Sequence, residues 1–302
     1  MSLTGFRDAV ARPLGAATAV TPTSLLAQKR AQAPITALTA YDYPTARLAD
    51  EAGIDLLLVG DSLAMAVLGH EDTLSVTMEE MLHHARAVRR ATQRALLVVD
   101  LPYGSYQVSV EDTVRNSLRM VKEAGANAVK LEGGASMASR VQALTAAEIP
   151  VVAHIGLTPQ AINRMGGYRV QGRSDTAAAA LIEDALALEA AGAIAIVLEG
   201  IPRELARRIT REVRVPTIGI GAGPECDGQI LVWHDLFNMS FRTPAKFVRP
   251  FADAAALMRQ ALEEYRHAVS DRSFPSDAES YHLPANVHLP EPAEPELATC
   301  SD

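Results

Sequence analysis

The sequence is poor in cysteine, in aromatic residues and in positive charge, and each shortage excludes a class of protein. Two of the 302 residues are cysteine, Cys226 and Cys300, which is too few for a disulfide framework and favours a reducing, cytoplasmic compartment. Aromatic residues make up 5% of the chain, and they show no pattern typical of a stacking platform. The formal net charge of −8 argues against nucleic acid as a partner.

Long apolar runs are also lacking. No run approaches the roughly 20 residues that cross a bilayer, so we expect no membrane partner. Residues 1–22 contain Arg7 and Arg12 among small residues, faintly like a transit peptide, but they have no signal-peptide apolar core. We interpret them as a flexible N-terminal extension of a cytoplasmic protein. Residues 283–302 have four prolines, four acidic residues and no Lys or Arg, which predicts a disordered tail.

A unit of helix, glycine, apolar strand and acid is repeated along the chain. It occupies residues 51–61, 123–132 and 190–199, and a further apolar run ends in Asp100. Glycine suits the left-handed position just past a helix end, and a continuous apolar run suits a parallel strand that is covered on both faces. Carboxylates at the carboxyl ends of parallel strands lie where α/β folds keep their chemistry.

Eight such apolar runs alternate with helical patterns, which predicts an α/β protein with a parallel sheet. Eight strands favour closure into a single (β/α)8 TIM barrel, which we assign to residues 23–282, with a helical segment at its N-terminal side. The predicted strands are 35–39, 55–60, 95–100, 128–132, 151–155, 194–199, 217–220 and 229–233.

Asp61 and Asp100 follow the second and third predicted strands, so we expect them side by side at the barrel rim. Mg²⁺ typically takes one or two carboxylates together with waters and substrate oxygens. Either aspartate alone could equally cap the next turn, but the pair predicts a metal site.

Three further residues have a structural and a chemical interpretation. Lys130 and Glu132 are two apart on one strand and share a face, so they form either an internal ion pair or a cationic site for an anionic substrate. His154 is either a hydrogen-bonded core residue or a catalyst. Glu199 ends an apolar strand, where burial disfavours the charged carboxylate and suits a general base; its alternative role is a structural salt bridge.

These residues stand within strings that resemble the ketopantoate hydroxymethyltransferase family. The resemblance runs in order from about Thr23 to about His282, and the strings are specific in combination. They are TALTAYDY (36–43), LVGDSL (58–63), VKLEGG (129–134), HIGLTPQ (154–160), GGYRVQGR (166–173), ALALEAAGA (185–193), GIGAG (219–223) and DGQILV (227–232).

The resemblance implies a (β/α)8 barrel that uses Mg²⁺ and transfers a hydroxymethyl group from 5,10-methylenetetrahydrofolate to 3-methyl-2-oxobutanoate. The product would be 2-dehydropantoate, in pantothenate and coenzyme A biosynthesis, formed through an enolate. The family forms homo-oligomers, often decamers. By the residue roles of the family, Asp61 and Asp100 would bind the metal, and Glu132 would contact it through water. Ser62 and Lys130, with the two aspartates, would bind the keto acid. Glu199 would be the base, and His154 would lie beside it.

Two alternatives remain open at this point. One is another Mg²⁺-dependent α-keto acid lyase or mutase of the phosphoenolpyruvate mutase and isocitrate lyase type; the Lys-Lys-Cys-Gly-His loop of that group is absent from this sequence. The other is a non-catalytic barrel, against which the complete set of acids and Lys130 argue.

Overall fold

The computed structural model describes residues 18–290, which divide into two compact units, one within Met1–Ala252 and one within Asp253–Asp302. In the first unit, eight parallel strands pair in chain order and close into a barrel. This arrangement confirms the predicted fold class. The strands are β1 (Ile35–Thr39), β2 (Leu56–Val59), β3 (Leu96–Asp100), β4 (Ala128–Glu132), β5 (Val151–Gly156), β6 (Ala195–Glu199), β7 (Thr217–Ile220) and β8 (Gly228–Leu231).

Helices connect most of the strands, and α1 supplies the predicted N-terminal helical segment. Gly53, Gly125 and Gly192, which close the helical halves of the three repeated units, all have positive φ, at 84°, 71° and 102°. The repeat therefore has the predicted conformation. The helices of this unit are α1 (Pro22–Arg30), α2 (Tyr43–Glu51), α3 (Leu63–Ala66), α4 (Met78–Ala91), α5 (Val110–Ala124), α6 (Ala138–Ala146), α7 (Ile162–Met165), α8 (Asp175–Ala190), α9 (Arg203–Glu212) and α10 (Trp233–Leu236).

The last predicted strand is wrong at its carboxyl end. The prediction extended it to Trp233, but the ladder between β1 and β8 ends at Leu231, and Trp233 begins α10. The Trp233 backbone N–H instead donates to the Thr39 hydroxyl at 2.9 Å. A side-chain acceptor from β1 thus binds the Trp233 N–H, and the strand ends two residues earlier than the apolar pattern indicated.

Side chains alternate between the barrel interior and the helix layer because a strand has a period of two. On β3, Leu96 and Val98 belong to the interior cluster, whereas Leu97 and Val99 pack with the helices. By the same alternation, Asp100 follows Leu96 and Val98 on the inward side of β3. On β4 the inward row begins at Ala128 and continues to Lys130 and Glu132. Apolar layers therefore fill the lower barrel, and polar side chains occupy its carboxyl end.

The second unit contains α11 (Ala254–Ser270) and a short 3-10 turn at Asp277–Glu279. The sequence predicted this helix at 252–269. Residues 283–290 form no helix or strand, and the rest of the predicted tail, with residues 1–17 of the predicted extension, lies outside the described residues. The domain boundary at 282 stays a prediction. Between residues 18 and 290, no helix combines the length and apolar character needed to cross a membrane.

Gly156 at the end of β5 should be a stability determinant of the barrel rim. It has φ +97°, and a Cβ there would overlap the carbonyl oxygen of Glu199, the acceptor for the Leu157 N–H at 2.8 Å. We expect Gly156→Ala to cost about 1–2 kcal/mol for the backbone and a further ~1–3 kcal/mol for overpacking. Gly53→Ala is the matched control, because its φ is +84° with no atom within 4 Å of the added Cβ. Urea unfolding should show a clearly larger loss for Gly156→Ala; equal losses would contradict this explanation.

Candidate active site

A cavity of about 200 Å³ lies at the carboxyl ends of the strands. Every site residue predicted from the sequence lines it, so the structure brings together side chains from five strands and their following turns. These residues are Asp61, Ser62, Asp100, Lys130, Glu132, His154 and Glu199.

Asp100 and Lys130 form the first half of the site because they are register partners on β3 and β4. The Lys130 Nζ lies 2.8 Å from Asp100 Oδ1, and both side chains are buried. Burial alone would lower the pKa of Lys130, but Asp100, Glu132 and Asp61 outweigh it and raise that pKa above its ordinary value. Lys130 therefore stays a cation inside the barrel.

Asp61 completes this half from a turn, not from a strand. It lies two residues beyond the end of β2, and its backbone N–H donates to Asp100 Oδ2 at 3.0 Å. Burial raises the pKa of Asp61 well above its usual range, and the nearby charges of Asp100 and Glu132 raise it further. Burial likewise raises the pKa of Asp100, with Lys130 opposing the shift. The two aspartates are thus packed closer than their charges favour.

His154 forms the second half, between two carboxylates. Its Nδ1 lies 3.3 Å from Glu132 Oε1, its register partner on β4, and its Nε2 lies 3.3 Å from Glu199 Oε2. Burial and the Lys130 charge lower the pKa of His154, but the contacts with the two glutamates prevail and raise it to about 9. Burial raises the pKa of Glu132, but His154 and Lys130 outweigh it, and the net shift is downward.

Ser62 is held at the cavity wall by residues of the β1–α2 connection. The Tyr41 hydroxyl lies 2.9 Å from the Ser62 Oγ, and burial raises the pKa of Tyr41. The Tyr41 carbonyl oxygen lies 2.6 Å from His84 Nδ1. Since a carbonyl only accepts, Nδ1 carries the proton in that contact. The position of the serine hydroxyl is therefore set by a side chain that sequence reasoning did not assign to the site.

The carboxylates supply only part of the ligand set that a divalent cation requires. In residues 18–290, no three His, Cys, Asp or Glu side chains are arranged as a metal cage. Glu132 has both oxygens engaged, Oε1 by His154 and Oε2 by the Gln160 backbone N–H at 2.9 Å, and Asp100 likewise has Oδ1 beside Lys130 and Oδ2 accepting the Asp61 N–H. Each carboxylate oxygen has two lone pairs and can take a second partner, so Asp61 and Asp100 could still be ligands, and two carboxylates completed by water and substrate oxygens are a donor set that Mg²⁺ accepts.

Several residues to which the sequence assigned no chemical role complete the site. Tyr168, from the loop at 166–173, lines the cavity, and its hydroxyl lies 3.6 Å from the Met65 sulfur. Gln160 contacts two of the carboxylates, and Tyr106 contacts Gln160 in turn. Gln160 does end the string HIGLTPQ, but polar loop residues carry no periodicity that could reveal such contacts.

Sequence comparison identifies close relatives over nearly the whole chain. The family model described as ketopantoate hydroxymethyltransferase matches residues 19–277. The 3-methyl-2-oxobutanoate hydroxymethyltransferase of Koribacter versatilis (strain Ellin345) is 60% identical over 265 residues, covering 88% of this chain and 90% of that protein. The enzyme of the same name from Pelobacter propionicus (strain DSM 2379 / NBRC 103807 / OttBd1) is 53% identical, covering 87% of this chain and 97% of that protein.

Structural comparison shows a wider likeness of fold. A 2,3-dimethylmalate lyase, a member of the PEP mutase/isocitrate lyase superfamily, aligns with a TM-score of 0.54 at 20% identity, covering 87% of this chain and 93% of that one. A phosphoenolpyruvate phosphomutase from Streptomyces platensis subsp. rosaceus aligns with a TM-score of 0.56 at 17% identity, covering 83% and 88%. At these identities the likeness concerns the barrel alone. On the family match and the identity to its relatives, the chain belongs to the ketopantoate hydroxymethyltransferase family of transferase enzymes.

Proposed function

We propose that the chain transfers a hydroxymethyl group from 5,10-methylenetetrahydrofolate to 3-methyl-2-oxobutanoate and gives 2-dehydropantoate for pantothenate and coenzyme A biosynthesis. The names of relatives at 50–60% identity support the acceptor substrate. The observation that carries the chemistry is the division of the cavity. Asp61, Asp100 and Lys130 form one charged group. Glu199 lies outside this group, where it contacts the Nε2 of His154.

The charges of the cavity support a divalent cation as its partner. Five carboxylates line the cavity, Asp61, Asp100, Glu132, Glu199 and Asp235, against two cations, Lys130 and His154, which leaves three negative charges uncompensated when all are ionised. A keto acid is itself an anion and would be repelled by that excess. We propose that Asp61 and Asp100 hold Mg²⁺ and that Glu132 contributes through water. When bound, Mg²⁺ supplies Lewis-acid polarisation of a keto acid and charge stabilisation for its enolate.

Lys130 and Ser62 are the residues we assign to the substrate. The Lys130 ammonium has three donor hydrogens, and its contact with Asp100 leaves donors for a substrate oxygen. Because Lys130 is buried and stays charged, it places fixed positive charge where negative charge develops, without reorganisation of solvent. The Ser62 hydroxyl, held by Tyr41, offers a second polar contact.

Glu199 is the residue we assign as the base that removes the C3 proton. Its side chain is 16% exposed, against 3% for His154, so it is accessible from the cavity. Its Oε2 lies 3.3 Å from the Nε2 of His154, so one oxygen of a carboxylate, a group that can serve as a general base, is held at the cavity. The phosphoenolpyruvate mutase and isocitrate lyase chemistry is less supported, since that group shares only the fold at 16–20% identity.

Exchange of the C3 proton tests this assignment directly. With 3-methyl-2-oxobutanoate, Mg²⁺ and D₂O, we expect NMR to show exchange by the wild-type chain, lost on chelation. Glu199→Gln should lower the rate by about 10²–10⁴-fold, the usual contribution of a general base, while Glu204→Gln, exposed on α9, should leave it unchanged. Exchange at the wild-type rate in Glu199→Gln would remove Glu199 from the base role.

His154 should titrate far from its ordinary range. With a pKa of about 9 instead of 6.5, its charged form contributes stability that is fully present below about pH 6.5 and is lost as pH rises through about 9. NMR titration of the metal-free protein should show this value, and Glu199→Gln should lower it by removing one carboxylate. His234, whose pKa burial lowers, is the internal control. A His154 titration near 6.5 would contradict the arrangement.

We also propose that the chain resides in the cytoplasm, which cell fractionation would check. We further propose that it assembles as a homo-oligomer, and the family resemblance implies a decamer. An apolar face of α11 supports assembly. Its side chains remain between 47% and 68% exposed in the described chain, a surface that favours association. They are Leu257, Met258, Leu262, Tyr265 and Val269.

Sedimentation analysis should show the wild-type chain as a species larger than its 32.2 kDa monomer. Leu262→Glu places a charge on the apolar face of α11 and should shift the distribution towards smaller species. Gln260→Glu makes the same change of charge on the opposite side of the helix and should sediment as the wild type does. A wild-type monomer at micromolar concentration would refute the assembly.

A further inference from the structure

We propose that Gln160 is a positioning residue that holds Asp61 and Glu132 in the orientation in which the site binds its divalent cation. This inference rests on the cation of the proposed function. Gln160 lies in the 3-10 turn Pro159–Ala161 after β5 and is 5% exposed. From this position after β5, it bridges Asp61, which follows β2, and Glu132, which ends β4.

The bridge has one contact from the backbone and one from the side chain. The Gln160 backbone N–H donates to Glu132 Oε2 at 2.9 Å. Its Nε2 donates to Asp61 Oδ2 at 2.8 Å and to the carbonyl oxygen of Leu101 at 2.9 Å. Each of the two carboxylates therefore has one oxygen fixed by Gln160, and the side-chain amide is anchored to the turn that follows β3.

Tyr106 decides which way the amide of Gln160 points. The Tyr106 hydroxyl accepts the Glu132 backbone N–H at 3.1 Å. Its own proton has two oxygens within reach, Gln160 Oε1 at 2.6 Å and Glu132 O at 3.3 Å, and the nearer one is the better acceptor. Gln107 Nε2 also donates to Gln160 Oε1, at 3.1 Å. A flipped amide would set its NH₂ against these donors, so Nε2 is directed at Asp61.

The consequence concerns metal affinity and not only folding. Asp61 is buried beside Asp100 and Glu132, so repulsion favours rotation of its carboxylate away from them. The hydrogen bond from Gln160 Nε2 to Asp61 Oδ2, held in place by the bond of the same amide to the Leu101 carbonyl, opposes that rotation before any cation arrives. Partners that orient metal ligands in this way typically contribute 10–100-fold in metal affinity.

The test is the affinity of the purified protein for Mn²⁺, measured by electron paramagnetic resonance, and for Mg²⁺, measured by calorimetry. Gln160→Met keeps the length of the side chain and removes its donors and acceptor. We expect its Kd for either cation to rise 10–100-fold. Gln171→Met is the matched control, because that glutamine lies in a loop of the same barrel unit and its side chain donates only to the Arg169 carbonyl among the described residues; its Kd should not change.

Thermal unfolding of each variant separates the two roles that Gln160 could have. A structural residue lowers the melting temperature while the folded fraction keeps its Kd, so a folded Gln160→Met with the wild-type Kd overturns the inference. If Gln160→Met does not fold, Tyr106→Phe decides: it removes the hydroxyl that orients the amide and should weaken binding several-fold, and an unchanged Kd overturns the inference. A wild-type chain that binds neither cation would refute the metal of the proposed function, and this inference with it.

Discussion

The site depends on the burial of more negative than positive charge at one end of a barrel. Taking carboxylates out of water is costly unless each one is paired or hydrogen-bonded. Here Lys130 contacts Asp100, and His154 contacts both Glu132 and Glu199. Asp61 has no cationic partner of its own among the described residues, and burial raises its pKa most clearly. The protein thus keeps a buried carboxylate that either a proton or the cation of the proposed function would neutralise.

Such an arrangement persists because rigid strands hold it from below. The inward rows of β3 to β6 are apolar for one or two positions and then become polar, as in Leu96, Val98 and Asp100. Parallel pairing sets Asp100 beside Lys130 and Glu132 beside His154. A slip of one residue would turn either row outward, so the apolar layers that fix register also fix the geometry of the charges. The same alternation of inward side chains therefore stabilises the barrel below the rim and positions the charged groups at the rim.

This pattern explains what the sequence alone could predict. Apolar runs closed by acids are local signals, so all eight strands were found with errors of at most two residues at their ends, and the seven site residues converge on one cavity. The error at Trp233 came from a hydroxyl on Thr39, a partner on another strand. Gln160 was missed for the same reason: it contacts Asp61 across 99 residues, and nothing local to either residue signals that contact.

The barrel does not by itself determine the reaction. Enzymes of the phosphoenolpyruvate mutase and isocitrate lyase group share this fold at identities of 16–20%, and one fold commonly supports several chemistries. What distinguishes a site is which groups hold charge and which are free to exchange a proton. In this chain His154 joins the two, because one of its nitrogens faces Glu132 at the proposed metal side and the other faces Glu199. A change of charge on either side of the cavity is therefore felt on the other through a single ring, so in the proposed reaction binding of the anionic substrate and removal of its proton would be electrostatically linked by His154.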